Sequence, residues 1–520
     1  MPIQWLRDSF LGQTLRLIYK PAWLTYREEE ADWQEKPIPL HNENTARVDW
    51  YSADDEENPH NWSQAKKAFV LTVIGTYSFV VYMSAPIYTP SAEAFIDEFH
   101  VNNAEASLGL ALYVLGYGAG PMLFSPLSEI PRIGRNLPYV VSFICYCVLS
   151  IPTALAPTAI GFYILRFLQG FFGSPCLATG GASIADIYSS DVLPHAMTTW
   201  VLAVFCAPAI GVLVSGFAIP VLGWRFSMWE VLIAAAPILV LLLLLPETSS
   251  ATILHRRARR LEESDKAGGG TRKYRTAADA MHENLSFHAV VRESLLIPSK
   301  ITLLDPAILF LNCYTSLTYG IYYSFFEAFP IVYQGIYGFN LGEMGAAFLA
   351  IVVGSIISFV IYNFYIHRTL TPKAQAQSSG SGRPAKPEDV LIPALFACFG
   401  PSIGLFLFGW AARPEVHWIV PTIGIVIYPG SVFILMQCVF LYIPACYPHY
   451  AASVFAATDF TRSAFACGAV VFSRPLYENL GMGPGCSLLA GLTIGCVVGI
   501  HVLYRYGEAL RMRSKFDSKY

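Results

Sequence analysis

Residues 225–260 read RFSMWEVLIAAAPILVLLLLLPETSSATILHRRARR. From Val231 to Pro246 no charge interrupts the apolar run, and Arg256, Arg257, Arg259 and Arg260 follow soon after. About 20 apolar residues are enough to cross a bilayer core of about 30 Å. The stretch 225–246 therefore reads as a membrane span that runs into a basic, water-facing segment. Working outward, further spans are expected at 67–90, 104–126, 136–156, 160–182, 195–219, 304–330, 342–365, 391–411, 417–442, 449–473 and 483–504, twelve in all.

The basic residues orient these spans. Of 34 Lys and Arg, eight lie in the N-terminal segment through Lys67 and two between spans 2 and 3. Ten lie in 246–303, four between spans 8 and 9, and five in the C-terminal tail. With an even number of spans, all these segments share one face. The other face has Arg225, Arg413 and Arg474, each near a span end. Loops rich in Lys and Arg stay in the cytoplasm, so both termini are expected there.

Composition agrees. The 520 residues are 54% hydrophobic and 14% charged, against about 25% charged in a soluble protein. Mean hydropathy is +0.46. The net charge of −3 says little, because charge is segregated by face. Residues 1–20 lack the continuous apolar core of a signal peptide, so span 1 is expected to direct insertion. The eleven cysteines, among them Cys145, Cys147, Cys176, Cys206 and Cys313, lie mostly in apolar stretches and read as small core residues. The sequons at Asn61 and Asn284 fall on the expected cytoplasmic side and should stay unmodified. No phosphate-binding loop, metal-ligand spacing or paired nucleophile and base is present, so neither an enzyme nor a cofactor, metal or nucleic-acid partner is expected.

Five segments follow: an N-terminal cytoplasmic segment 1–66, a six-helix bundle 67–246, a central cytoplasmic loop 247–303, a second six-helix bundle 304–506 and a tail 507–520. The 6+6 split is what two bundles related by an axis along the membrane normal would give. Within 1–66, Asp54, Asp55, Glu56 and Glu57 read as part of a flexible acidic stretch. Trp5, Leu6, Phe10, Leu15 and Ile18, beside Arg7 and Arg16, fit either a short helix on the membrane surface or a loosely ordered tail. The four arginines after span 6 suit an anionic leaflet. Gly268-Gly269-Gly270 reads as a flexible break, and 371–388 as a surface loop.

Several motifs resemble signatures of the major facilitator superfamily. Ser125-Pro126-Leu127-Ser128-Glu129-Ile130-Pro131-Arg132-Ile133-Gly134-Arg135 is similar to its loop between helices 2 and 3. There Glu129 could pair with Arg132 or a neighbouring helix, Gly134 would turn the chain, and Arg135 would face the leaflet, forming a latch that closes one access state. Arg166-Phe167-Leu168-Gln169-Gly170 resembles the intramembrane arginine signature of helix 4. Ala207-Pro208-Ala209-Ile210-Gly211, with Gly216, resembles the antiporter signature of helix 5, with Ala207 in place of its first glycine. Leu245-Pro246-Glu247-Thr248 is similar to the family's exit from helix 6. Asn58-Pro59-His60-Asn61-Trp62-Ser63, Phe325-Phe326-Glu327-Ala328-Phe329-Pro330, Asp459-Phe460-Thr461-Arg462-Ser463 and Arg474-Pro475-Leu476-Tyr477 resemble the fungal twelve-helix drug:proton antiporters. The resemblance spans about 55–510 and implies an all-α membrane protein of two six-helix bundles, with both termini cytoplasmic.

Ionisable groups inside a bilayer are costly and mark function or tight pairing. Arg166 either tunes a nearby carboxylate for proton coupling or pins two helices. Glu327 is either a proton-loading carboxyl or an ordinary residue near an outer helix end. Asp459 and Arg462 share a helical face and suit an internal salt bridge, or a gate or substrate contact. Glu230 is a further buried-acid candidate close to Arg225. Glu93, Asp97 and Glu98 should be solvated, and Asp186 should pair with a basic loop residue. Tyr77, Tyr82, Tyr113, Tyr117, Gln169, Tyr319, Tyr322, Tyr323 and Phe326 are cavity candidates, because an aromatic face with one hydroxyl suits flat amphipathic or cationic ligands.

The resemblance implies a secondary transporter in the plasma membrane, working as a monomer and exporting amphipathic drugs or toxins in exchange for protons. A dedicated exporter of a polyamine or an endogenous metabolite, an uptake symporter or facilitator, and a non-transporting sensor remain as alternative readings. A vacuolar membrane is the alternative location.

Overall fold

The computed structural model describes residues 3–19, 21–29, 40–42, 45–282, 300–373, 386–446 and 451–512. The N-terminal segment holds α1 (Ile3–Asp8), α2 (Phe10–Tyr19), β1 (Leu40–Asn42) and β2 (Thr45–Arg47). The first helical half is α3 (Gln64–Met83), α4 (Ala92–Phe99), α5 (Asn103–Glu129), α6 (Asn136–Ala154), α7 (Ala159–Gly173), α8 (Pro175–Ala185), α9 (Leu193–Leu222) and α10 (Phe226–Leu243). Then come α11 (Ser250–Ala267), β3 (Lys273–Arg275) and α12 (Ala277–His282). The second half is α13 (Pro306–Phe329), α14 (Leu341–Ala347), α15 (Leu349–Tyr365), α16 (Ile392–Ala397), α17 (Gly400–Ala411), α18 (Ile419–Cys446), α19 (Ala451–Leu480) and α20 (Met482–Met512).

Among the described residues, ten helical stretches are long and apolar enough to cross a membrane. The other two expected spans are helical but differ in a way the sequence explains. The fourth breaks at Ser174, where Pro175 opens α8. The seventh, α13, carries Asn312, Thr315, Ser316, Thr318, Ser324 and Glu327, and so is too polar to pass on hydropathy. Helix starts follow local chemistry. Asn102 and Asn340 make reciprocal capping boxes with Glu105 and Glu343, and the Asp305 carboxylate accepts from Ala307 and Ile308 N–H. Two seams hold the halves together, α5 against α19 and α9 against α14 and α15. Both contacts depend on glycine. A Cβ on Gly118 would sit 2.3 Å from Ser463 Cβ, and one on Gly216 would sit 2.6 Å from the Leu341 carbonyl oxygen.

The N-terminal segment is ordered where a flexible acidic stretch was expected. Arg257 of α11 bonds both carboxylate oxygens of Asp55, at 2.7 and 3.0 Å, and lies 3.4 Å from Glu28. Arg260 bonds Glu57 at 2.9 Å and stacks on the Tyr26 ring. Arg256 lies 3.7 Å from Glu247. Of the four arginines expected on the leaflet, only Arg259 is exposed, because the acids of 28–57 outcompete lipid for Arg257 and Arg260. Strand β2 pairs with β1 and, in parallel, with β3. This N-terminal platform is bolted to the first half by a Lys66–Asp8 ion pair at 3.1 Å. Gly268–Gly270 is a turn instead of a break: Gly269 has φ +84°, and Gly270 N–H donates to Asp265 at 2.8 Å.

Other expectations shift too. Asn61 uses its side-chain amide to close the turn before α3, donating to the Ala53 and Asp55 carbonyls, while Asn284 lies outside the described residues. So does most of the 371–388 loop. Cys147 and Cys176 are buried, but Cys313 is exposed on α13. Glu98 is not simply solvated: it pairs with Arg225 at 2.6 Å and accepts from Trp224 Nε1 at 2.6 Å.

Candidate functional site

A cavity of about 730 Å³ opens between the two halves on the face that carries the chain termini. Its mouth is set by Glu129, Arg135, Asp186, Lys373, Lys386 and Asp389, and its base by Tyr82, Tyr319, Asp459 and Arg462. Between them the wall is apolar, with Met197, Trp200, Val201, Val204 and Phe205 from α9 facing Met436, Phe440 and Phe455. The α9 residues recur at the i, i+3, i+4, i+7, i+8 spacing of one helical face. That stripe is visible in the sequence, but periodicity alone does not separate a cavity wall from a packed core.

The base is a layer of hydroxyls and one ion pair. Arg462 meets Asp459 at 2.5 Å on the same helix. It also donates to Tyr82 Oη at 3.2 Å, across the boundary between the halves. Its guanidinium lies 4.8 Å from the centre of the Tyr319 ring. Behind it, Tyr117 Oη is 2.5 Å from Tyr319 Oη and 2.8 Å from Tyr323 Oη. Tyr117 belongs to α5 and the other two to α13, so this cluster closes the cavity by joining the halves. The expected salt bridge between Asp459 and Arg462 is present, and it sits where a ligand in the cavity would touch it.

Beyond the tyrosines lies a second cavity of about 370 Å³, lined by Tyr88, Ser107, Phe326, Glu327 and Arg474. Ser107 Oγ donates to Glu327 Oε1 at 2.9 Å. Along α13 the order is Tyr319, Tyr323, Phe326, Glu327. At 1.5 Å per residue, Tyr319 and Glu327 are about 12 Å apart along the axis. Glu327 thus faces the side opposite the chain termini, just before the helix loosens into a π-helical turn over Pro330–Ile336.

Arg166 differs from the expectation of a neighbouring carboxylate. Among the described residues its partners are the carbonyls of Gly109, Ser84 and Ala85, at 2.8 to 3.0 Å, and Gln169 Oε1 at 3.1 Å. Its guanidinium stacks on the Tyr113 ring at 4.3 Å. The carbonyls of Ser84 and Ala85 are free to accept because α3 ends at Met83 and a 3-10 turn begins at Pro86. Gln169 is likewise committed, donating to Ser150 at 2.8 Å. Tyr113 donates to the Val81 carbonyl, and Tyr77 packs on Tyr139 and Phe143. These four therefore belong to the core of the first half and not to the cavity wall. Tyr322 donates to the Phe205 carbonyl at 3.4 Å, and Phe326 lines the second cavity. Glu230 is buried with one carboxylate oxygen unpartnered among the described residues, while Arg225 pairs with Glu98 instead.

The loop 125–135 also rearranges relative to expectation. Arg135 turns inward to pair with Asp186 at 2.6 Å, supplying that acid's expected basic partner. Asp186 holds the buried guanidinium protonated against its desolvation. Glu129 and Arg132 make no ion pair among the described residues; Glu129 instead edges the cavity mouth. Glu247 ties the loop down by accepting from the N–H groups of Arg135 and Asn136, at 3.1 and 3.3 Å. Gly134, at φ +74°, lets the chain pass within 2.5 Å (Cβ to Oε2, were a Cβ present) of that carboxylate. In the antiporter-like stretch, Ala207 and Pro208 are buried in α9, and Gly211 packs on the Met83 carbonyl.

The model of the Major Facilitator Superfamily matches residues 74–470. An MFS-type transporter of Aspergillus violaceofuscus is 45% identical over 94% of this chain and 88% of its own length. Fluconazole resistance protein 1 of Saccharomyces cerevisiae is 37% identical over 91% of this chain and 85% of its own. The partially occluded inward-open structure of the Escherichia coli xylose transporter XylE superposes with a TM-score of 0.59 at 12% identity, over 85% of this chain and 98% of that one. The last shows the fold alone.

Proposed function

Because the chain belongs to the Major Facilitator Superfamily, we propose that this transporter exports amphipathic, drug-like small molecules from the cytoplasm in exchange for protons. The observation that carries the reading is the large cavity, apolar along its walls and ionic at its base, open toward the termini and closed beyond by tyrosines. Such walls take flat apolar bodies with few directional demands, while Asp459, Arg462 and the tyrosine hydroxyls give polar groups a partner. The relative whose name states fluconazole resistance supports the same class of cargo.

Substrate and proton sites would lie on opposite sides of the tyrosine layer. Substrate enters the terminal-side cavity, and Glu327 takes its proton from the second cavity. The two ligands must bias the inward- and outward-facing states differently, which requires parting Tyr117 from Tyr319 and Tyr323. In this reading the termini face the cytoplasm, in accord with the basic loops. A monomer in the plasma membrane completes the reading.

The test is growth of a drug-sensitive fungal host expressing this chain, across a panel of amphipathic toxins. Wild type should raise tolerance to several, and Trp200→Ala should change which ones. Tolerance unchanged for every compound by a surface-expressed protein would contradict drug export.

A further inference from the structure

Helix α2 is amphipathic in the wrong sense for a helix in water. Its polar side chains turn toward the protein: Gln13 donates to the Arg7 carbonyl and to Tyr26 Oη, both at 2.8 Å. Arg16 bonds the Leu24 carbonyl and pairs with Glu29. Phe10 packs on the core, but the apolar side chains of the last turn point outward, with Leu17, Ile18 and Tyr19 exposed by 84%, 65% and 75%, and Trp23 beyond the helix by 53%. A helix bordered by water shows the reverse arrangement.

Its place in the fold says what borders it. Ser9 pairs antiparallel with Pro246, Phe10 N–H donates to the Leu245 carbonyl at 3.3 Å, and Glu247 N–H donates to Asp8. These residues directly follow α10, a membrane span that ends at Leu243. Helix α2 therefore starts level with the end of a span, where hydrocarbon gives way to headgroups. The exterior of α10 itself is apolar, with Ile233 and Val240 exposed.

We propose that α2 and Trp23 lie in the plane of the bilayer surface on the terminal face, with Leu17, Ile18, Tyr19 and Trp23 sunk into the lipid. In-plane helices typically bury their apolar face about 5–10 Å into the headgroup and acyl boundary. The anchor is apolar, not ionic, because Arg7 and Arg16 are already paired with Asp8 and Glu29. It adds a membrane tether to the N-terminal platform, which Asp8–Lys66 already holds to α3 and Arg257–Asp55 to α11.

The full-length transporter carrying Ile18→Cys, labelled with a nitrobenzoxadiazole dye, tests this in nanodiscs holding one copy each. The unsubstituted protein, labelled in parallel, supplies the background. In phosphatidylcholine the dye should emit to the blue of its value in water and be quenched by brominated acyl chains but not by iodide. Adding phosphatidylserine should leave this unchanged. As a second probe, brominated-lipid quenching of tryptophan emission should fall in Trp23→Phe. Iodide quenching without brominated-lipid quenching in either probe would overturn the proposal. So would shielding from both quenchers, which would mean that protein covers this face. Dependence on phosphatidylserine would overturn the apolar mode of binding.

Discussion

At the scale of single residues, charge pairing inside the membrane governs the outcome of substitution. Asp459 and Arg462 are buried 2.5 Å apart, so removing one leaves the other unpaired in a poorly solvated site. Asp459→Asn or Arg462→Gln should each cost about 3–5 kcal/mol, and the double variant should recover much of it. Thermal unfolding of detergent-purified protein checks this, and additive losses would deny the pairing. Glu327→Gln keeps an acceptor for Ser107 Oγ but removes the ionisable carboxyl. Exchange of substrate for substrate should survive, while transport driven by a pH gradient should vanish. Flux assays under the two conditions separate these. The Asp459–Arg462 pair was legible because residues three apart on a helix share a face. The surroundings of Arg166 were not, because its partners are backbone carbonyls freed by a helix end, and no side chain announces them.

At the scale of elements, the helices follow from apolar run length, and the exceptions follow from single residues such as Pro175 and from the polar residues of α13. The clamp between α11 and the N-terminal acids was hidden, because its halves lie about two hundred residues apart in sequence. Arg257→Ala should leave Asp55 without its cation and Glu28 with Arg260 alone, and loosen 45–61. Trypsin should then cut at Arg47 much faster, while the span helices stay protected. The clamp also sets a pH response. Burial opposes ionisation of Asp55, but its bonds to Arg257 win and hold the carboxyl below its ordinary value. Glu29 is depressed in the same way by Arg16. A depressed carboxyl stabilises the fold fully above the unfolded value, about 4 for these groups, and loses that contribution as pH falls through the folded value. Protection of the 45–61 amides from hydrogen exchange, taken relative to the unfolded chain at the same pH, should hold from pH 7 to 5 and fall only below about 4. A loss of protection between pH 7 and 5 would contradict this account.

At the scale of the molecule, two halves meet along α5–α19 and α9–α14–α15, and the cavity lies between them. The segregation of basic residues and the signature loops made this architecture readable from the chain. Which aromatics line the cavity was not, since Tyr82 and Tyr319 face it while Tyr77 and Tyr113, on the same helices as cavity or gate tyrosines, pack inward. Side-chain direction within a bundle depends on helix rotation, which hydropathy does not encode. Gly216→Leu should jam α9 against Leu341 and arrest the cycle while leaving binding in the cavity intact. Ligand-binding calorimetry and flux, measured on the same preparation, would show the split. The most direct measurement pairs both ions and cargo: proteoliposomes with an imposed pH gradient, monitored for internal pH and for an amphipathic compound that the chain confers tolerance to. Opposed movement of protons and compound, collapsed by a protonophore and absent in Glu327→Gln, is the predicted result. Movement of both in the same direction would contradict export by exchange.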